Sequence, residues 1–300
     1  MTASTLARLR ARVQPADSAG DIDLAALLPA LTALVAFLLL FWQPITSLVE
    51  DWWKEPDAGH GLLLGPLALI LAYRSGLSVR ARPQVVLGLT VLVGAVALRY
   101  ASGLAAEFFT MRLSLLGAIG GLVIYRWGLA QVRHWWLPAL LLLLAIPLPQ
   151  VLTGTLALPL QLLASRFGAA MLEWRHVPVF LSGNVIHLPG QALFVTEACS
   201  GLRSLTSLLA LGVLIGGLWV QRPWLRVALV AIALPIAMLL NGIRIFITGF
   251  LVYFVDPKLG EGIMHYTEGW VLFVAAFAIL GAIAWTFVQL ERWLSARGTA

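Results

Sequence analysis

The chain contains a single cysteine, Cys199, set in Thr196-Glu197-Ala198-Cys199-Ser200-Gly201-Leu202-Arg203-Ser204, where polar sequence gives way to an apolar run. Helix amino termini and nearby guanidinium groups both favour thiolate over thiol, and a cysteine at the start of an apolar helix is placed to use them. A second group with chemical capacity is Arg244, in Leu240-Asn241-Gly242-Ile243-Arg244-Ile245-Phe246-Ile247-Thr248. A charged side chain within an apolar span costs at least about 2.5 kcal/mol, which makes it a functional candidate. Asn241 and Thr248 stand three and four residues from it and share its helix face. The third group is His265, in Gly262-Ile263-Met264-His265-Tyr266-Thr267-Glu268-Gly269-Trp270, ahead of the last apolar run. Unperturbed imidazole titrates near pH ~6.5 and suits acid and base work.

A thiol with an imidazole is the minimum for a nucleophile and its proton partner, and a guanidinium supplies charge for a developing oxyanion. Each residue type also has a plainer use. Cysteine packs as a small hydrophobe, arginine snorkels to headgroups, and histidine occupies wet interfaces. His60, His134, His176 and His187 dilute the histidine signal, although His60 could share the outer face with the other three groups. One thiol excludes an intramolecular disulfide and a multi-thiolate metal site. No Gly-x-Ser-x-Gly elbow, His-Glu-x-x-His or phosphate loop occurs, so serine, zinc and nucleotide chemistries lack a signal and neither cofactor nor metal is expected.

The elements that must position these residues are set by composition. Of 300 residues, 60% are hydrophobic and 11% charged, with a mean hydropathy of +0.91. Soluble domains carry about 25% charged residues, so the solvent of this chain is lipid. A soluble DNA-binding module, a cytosolic nucleotide-binding enzyme and a disordered tail are excluded. The net charge of +6 belongs to loops that orient spans, not to a nucleic-acid surface.

Apolar runs predict spans at Leu24–Trp42, Gly61–Tyr73, Val85–Leu104, Phe108–Tyr125, Leu137–Leu152, Leu202–Val220, Val227–Tyr253 and Trp270–Val288. The first is expected to be retained, because no small-residue cleavage site follows it. Residues Thr153–Leu172 would form another span by composition, but an even tally lays them along the outer interface. Basic clusters at the amino terminus and after the second, fourth, sixth and eighth spans put both termini inside. Arg244 lies roughly 17 residues past the inside turn at 221–226, or about 26 Å along a helix, near the outer edge of the core. Alternation through Val177, Val179 and Leu181, with turns at Ser182-Gly183-Asn184 and Pro189-Gly190, predicts a small extracytoplasmic β-hairpin or meander before the sixth span. The expected fold is all-α and polytopic, about eight helices, with a cytoplasmic segment 1–23, a membrane domain 24–290 and a cytoplasmic tail 291–300.

At these residues the chain resembles the exosortase/archaeosortase family of membrane cysteine transpeptidases, over about Asp51 to Trp285. The densest likeness is Gly183-Asn184-Val185-Ile186-His187-Leu188-Pro189-Gly190 together with Glu197-Ala198-Cys199-Ser200-Gly201-Leu202-Arg203. Asn241-Gly242-Ile243-Arg244 matches the family's Asn-x-x-Arg, and His265 its histidine before the final span. Asp57-Ala58-Gly59-His60-Gly61 resembles a Ser-His-Gly signature, with Ala58-Gly59 departing from the usual Tyr-Ser. The resemblance implies a catalytic set of Cys199, Arg244 and His265, with Asn241, Glu197, Arg203 and His60 in support.

It also implies substrates that are exported proteins with a carboxy-terminal tail: a Pro-containing motif, a hydrophobic span and a basic cluster. A thioacyl enzyme would pass the cleaved protein to an envelope acceptor, whether glycan, lipid or water, at a bacterial inner membrane with the site facing the periplasm. The extra carboxy-terminal domain of some members is not expected here. The competing classes are a transporter lined by Arg244 and the outer histidines, and a polysaccharide-export membrane subunit that has no need of the thiol. A transporter should carry polar residues at mid-membrane; here they gather at one face.

Overall fold

The computed structural model describes residues 24–55, 57–195, 202–256 and 263–297, with side chains for 28–55, 57–195, 204–256 and 271–297. The chain divides into two compact units, residues 1–43 and 44–300. Within the first unit, α1 (Leu24–Leu40) is apolar on every side, and Leu28, Leu31, Leu34 and Leu39 face outward. A helix that exposes leucine all round is one whose solvent is hydrocarbon.

The second unit begins within α2 (Trp42–Lys54), whose buried Pro44 and Leu48 recur every fourth residue and are followed on the same stripe by Trp52. Glu50 and Lys54 pair on its exposed side. Next come α3 (Gly61–Ser75), α4 (Val85–Leu104) and α5 (Phe108–Trp127). The α4–α5 hairpin packs backbone to backbone: a Cβ on Gly88 would lie 2.4 Å from the Tyr125 nitrogen. Small residues at such a seam are what allow helices to associate closely in lipid. Glu107 starts α5 by accepting the Phe109 and Thr110 amides at 2.9 and 2.7 Å. At the hairpin's basic end, buried Gln131 donates to the Gly76 carbonyl and accepts from the Ser78 amide, tying α6 (Leu129–His134) to the end of α3.

One expectation fails in the segment that follows. The fifth predicted span, Leu137–Leu152, is not one helix: α7 (Trp136–Leu144) has nine residues, and Ala145–Pro149 is a break. Pro147 and Pro149 lack the amides that would continue α7 past its last turn. The stretch from Thr153 to Leu172 is one continuous helix with its flanks. It belongs to α8 (Gln150–Trp174), whose 25 residues are long and apolar enough to cross a membrane. The two prolines separate a short helix from a long one.

A three-stranded antiparallel meander follows: β1 (Phe180–Ser182), β2 (Val185–Leu188) and β3 (Gln191–Phe194), in that order across the sheet. Ser182 pairs with Val185 and Leu188 with Gln191, so each connection is two residues long. Gly183 and Gly190 take φ of 62° and 80°, which the tight turns require and glycine permits. The predicted alternation and both predicted turns are therefore present, with three strands in place of a single hairpin.

The chain ends with α9 (Leu202–Trp219), α10 (Pro223–Phe254) and α11 (Ile263–Arg297). α10 has 32 residues, about 48 Å, and outruns a hydrocarbon core of about 30 Å. α11 starts seven residues before the predicted Trp270 and runs on to Arg297, into the segment expected as a tail. Among the described residues, five helices are long and apolar enough to span, or six if the broken pair Leu28–Leu40 and Trp42–Lys54 counts as one. The protein is thus mostly helical and multi-pass, with fewer full-length spans among the described residues than the eight expected. α3 joins α7 among the shorter apolar helices.

Candidate active site

The polar face of α10 is where the described site residues gather. Asn241 and Thr248 are buried, and Arg244 between them is half-buried. The Thr248 hydroxyl donates to the Arg244 carbonyl at 2.9 Å, the local bond that lets a threonine sit in an apolar helix. Arg244 lies eighteen residues beyond Arg226, about 27 Å along the axis, so it stands far from the basic turn at the start of α10.

α8 supports this face. A Cβ on Gly242 would fall 2.4 Å from the Phe167 ring, and one on Gly168 would fall 2.4 Å from Ile245. Leu172 meets Gly249 in the same way. The contacting residues rise together along both helices, so α8 and α10 run parallel here and their backbones approach on either side of Arg244. The β-meander caps the pair: Ile186, Leu188 and Val195 share one buried cluster with Leu172, Ile245 and Val252. Asn184 grips the strand end from two directions. Its backbone carbonyl accepts the Val195 amide at 3.0 Å, and its side-chain Nδ2 donates to the Val195 carbonyl at 3.0 Å. Buried Gln161 of α8 stands 3.5 Å from the same Nδ2. Val195, four residues before the cysteine, is thereby fixed in the cluster that holds Ile245, the residue after Arg244.

Cys199 and Glu197 lie outside the described residues. Arg203 and His265 have described backbones, in the first turns of α9 and α11, while their side chains lie outside the described set. His265, expected just ahead of the last span, is already helical, because α11 begins at Ile263. Only Arg244, Asn241 and Thr248 of the sequence-derived set are therefore seen together on one surface.

His60 has a described place of its own. It precedes α3, is half-buried, and its Nε2 lies 3.2 Å from the Leu144 carbonyl. Because a carbonyl can only accept, Nε2 carries the proton. The neighbouring Ala145 carbonyl, whose helical partner would have been Pro149, accepts from Trp52 Nε1 at 2.7 Å. Trp52 lies flush on α3 because Gly61 and Gly65 leave it room. His60 and Trp52 thus close the end of α7 that the prolines leave open. Burial depresses the His60 pKa below the ordinary imidazole value, although the Leu144 and Asp57 backbone groups and the Asp57 charge push the other way.

One charged centre escaped the sequence reading. Arg112, in the first turns of α5, is buried and pairs with Asp51 of α2 at 2.7 Å, donating also to the Ser47 carbonyl at 3.0 Å. Its guanidinium sits 5.7 Å from the Phe108 ring centroid. The available signal was an arginine within a predicted span, Phe108–Tyr125, which is a candidate by default on the same grounds as Arg244.

A helical bundle with a buried polar face on one long helix, capped by a β-meander, defines a multi-pass membrane protein with its candidate chemistry at one end of the bundle. A family model described as transmembrane exosortase matches residues 52–282, more than three quarters of the chain, and the protein belongs to that family. No curated protein and no solved structure matches it significantly. No group of three or more metal-ligating His, Cys, Asp or Glu side chains occurs among the described residues.

Proposed function

We propose that this exosortase-family protein is a membrane cysteine transpeptidase or peptidase that removes the carboxy-terminal sorting tail of exported proteins. The single observation that carries the reading is the anchoring of Val195, by Asn184 and the α8–α10 cluster, beside the Arg244 face. It ties the strand leading to the lone thiol to the helix bearing Arg244.

In this account Cys199 gives its proton to His265 and attacks the scissile carbonyl as thiolate. Arg244 compensates the oxyanion, and the same requirement explains a cation held where it costs energy. His265 returns the proton to the leaving amine, so the peptide C–N bond breaks and a thioester remains on Cys199. An amine, hydroxyl or water of the envelope then attacks that thioester, regenerates the thiol and completes the transfer. Asn241 and Thr248 hold the Arg244 face, Glu197 and Arg203 flank the nucleophile, and His60 supports from the end of α7. The tail is expected to carry a Pro-containing motif, a hydrophobic span and a basic cluster. The site opens to the periplasm of a bacterial inner membrane, and no cofactor takes part.

The test is co-expression of a tailed substrate with Cys199→Ala and, separately, Arg244→Ala. Loss of tail removal in the first and at least a hundredfold slowing in the second are expected, on the scale of losing one oxyanion donor. Undiminished processing by Cys199→Ala would instead point to a transporter or polysaccharide-export subunit that has no use for the thiol.

A further inference from the structure

A second site lies at the opposite, basic end of the bundle. Between the start of α10 and the last turns of α11 is an open cleft of about 540 Å³, within the range of ligand-binding sites. Trp219, Arg222, Val288, Glu291, Arg292 and Ser295 line it. Glu291 is buried, and its two carboxylate oxygens accept the Gln221 amide at 3.0 Å each, with Oε1 also accepting the Arg222 amide at 2.6 Å. The positive end of the α10 dipole, which would otherwise draw an anion, is therefore already filled by the protein's own carboxylate. The negative charge of Glu291 is spent on backbone donors and does not neutralise the arginines beside it.

Arg222 and Arg292 stand on the two sides of the cleft, and neither guanidinium has an ion-pair partner among the described residues. With Glu291 counted, the lining still carries a net charge of +1. The surface leading into the cleft is apolar. Trp285, Val288, Arg292 and Ser295 recur at spacings of three and four along α11 and make one stripe, hydrocarbon-like for its first turn and polar for its last. Trp285 is 62% exposed and Trp219 57%. A soluble anion has no use for that tryptophan-lined approach. A molecule with acyl chains and a charged head fits both halves.

We infer that the cleft binds an anionic phospholipid, its phosphate held between Arg222 and Arg292 and its acyl chains lying along Trp219, Val288 and Trp285. Basic pockets between membrane helices hold anionic headgroups by the same balance of charge and apolar contact. Occupancy would pin the start of α10 to the end of α11, the two helices that carry Arg244 and His265.

The test is native mass spectrometry of the full chain, delipidated and then titrated with dioleoyl phosphatidylglycerol or dioleoyl phosphatidylcholine. Phosphatidylglycerol should be retained at least tenfold more tightly than phosphatidylcholine. Each arginine contributes about fivefold, so Arg222→Gln/Arg292→Gln should weaken phosphatidylglycerol binding about 25-fold. Arg292 is exposed, so Arg292→Gln alone leaves the fold intact and should still show its fivefold loss. Glycerol 3-phosphate, which has the same phosphate chemistry without chains, should fail to compete at equal concentration. Equal retention of the two lipids, unchanged binding in Arg292→Gln, or competition by glycerol 3-phosphate would each overturn the assignment.

Discussion

The Arg112–Asp51 pair makes an asymmetric prediction. Arg112 keeps 6% of its side-chain surface exposed and Asp51 32%, so the two ends of the pair are not equivalent. Asp51→Asn removes the counter-charge and leaves a guanidinium buried beside Phe108 and the Ser47 carbonyl. Breaking a fully buried pair in this way costs about 3–5 kcal/mol. Water already reaches Asp51 and screens the attraction, so about 2–3 kcal/mol is expected. Arg112→Met instead removes the buried charge, keeps apolar volume against Phe108, and leaves Asp51 free to hydrate. What it loses is the donor to the Ser47 carbonyl, about 1 kcal/mol. The double variant should therefore resemble Arg112→Met, because the aspartate has nothing left to neutralise. Equilibrium unfolding in mixed micelles, followed by tryptophan fluorescence, resolves differences of this size. If Arg112→Met proves as destabilising as Asp51→Asn or more so, the ion-pair reasoning is wrong.

Three further outcomes follow from the described contacts. Gly88→Ala places a methyl group 2.4 Å from the Tyr125 backbone nitrogen, which no side-chain rotation can relieve, and should cost about 1–3 kcal/mol in the same unfolding measurement; a neutral result would mean the α4–α5 seam is looser than described. Because burial lowers the His60 pKa from 6.5, the folded state disfavours the imidazolium, so stability should be complete above pH ~6.5 and fall as the pH drops below it. His60→Gln, which can still donate to Leu144, should lose less melting temperature than the parent between pH ~7.5 and ~5.5, and equal losses would refute the assignment. The Thr110 hydroxyl, with the Thr110 and Phe109 amides, holds the Glu107 carboxyl below its ordinary 4.5. Its capping contribution should be present above that value and vanish as pH falls through the lowered pKa, and Glu107→Ala should cost about 1 kcal/mol at neutral pH, read by melting temperature.

The α10 face of the candidate site was legible because its signals are local. Asn241, Arg244 and Thr248 share a face through helical spacing alone, and α10 presents them so. The meander was written in alternating apolar residues and in two turns that need glycine. What was hidden depends on contacts between distant segments. Pro147 and Pro149 announce a break, but only the carbonyls taken up by His60 and Trp52 show that the break follows a nine-residue helix. Charge counting lays Thr153–Leu172 along the interface, and only the structure shows its parallel packing on α10. Charge counting forced an even tally of spans, and it had no means of recognising α3 and α7 as short helices within the bundle. Asn184 reads as a turn residue, while its clamp on Val195 depends on a partner eleven positions away.

The claim that organises the rest is that Cys199 forms a covalent bond to substrate. Purified protein incubated with a tailed substrate peptide, quenched in acid and weighed intact, tests it directly. The predicted result is an added mass equal to the substrate's amino-terminal product less one water, mapped to Cys199, released by neutral hydroxylamine and absent from Cys199→Ala. Continued tail removal by Cys199→Ala, with no adduct on any residue, would contradict it.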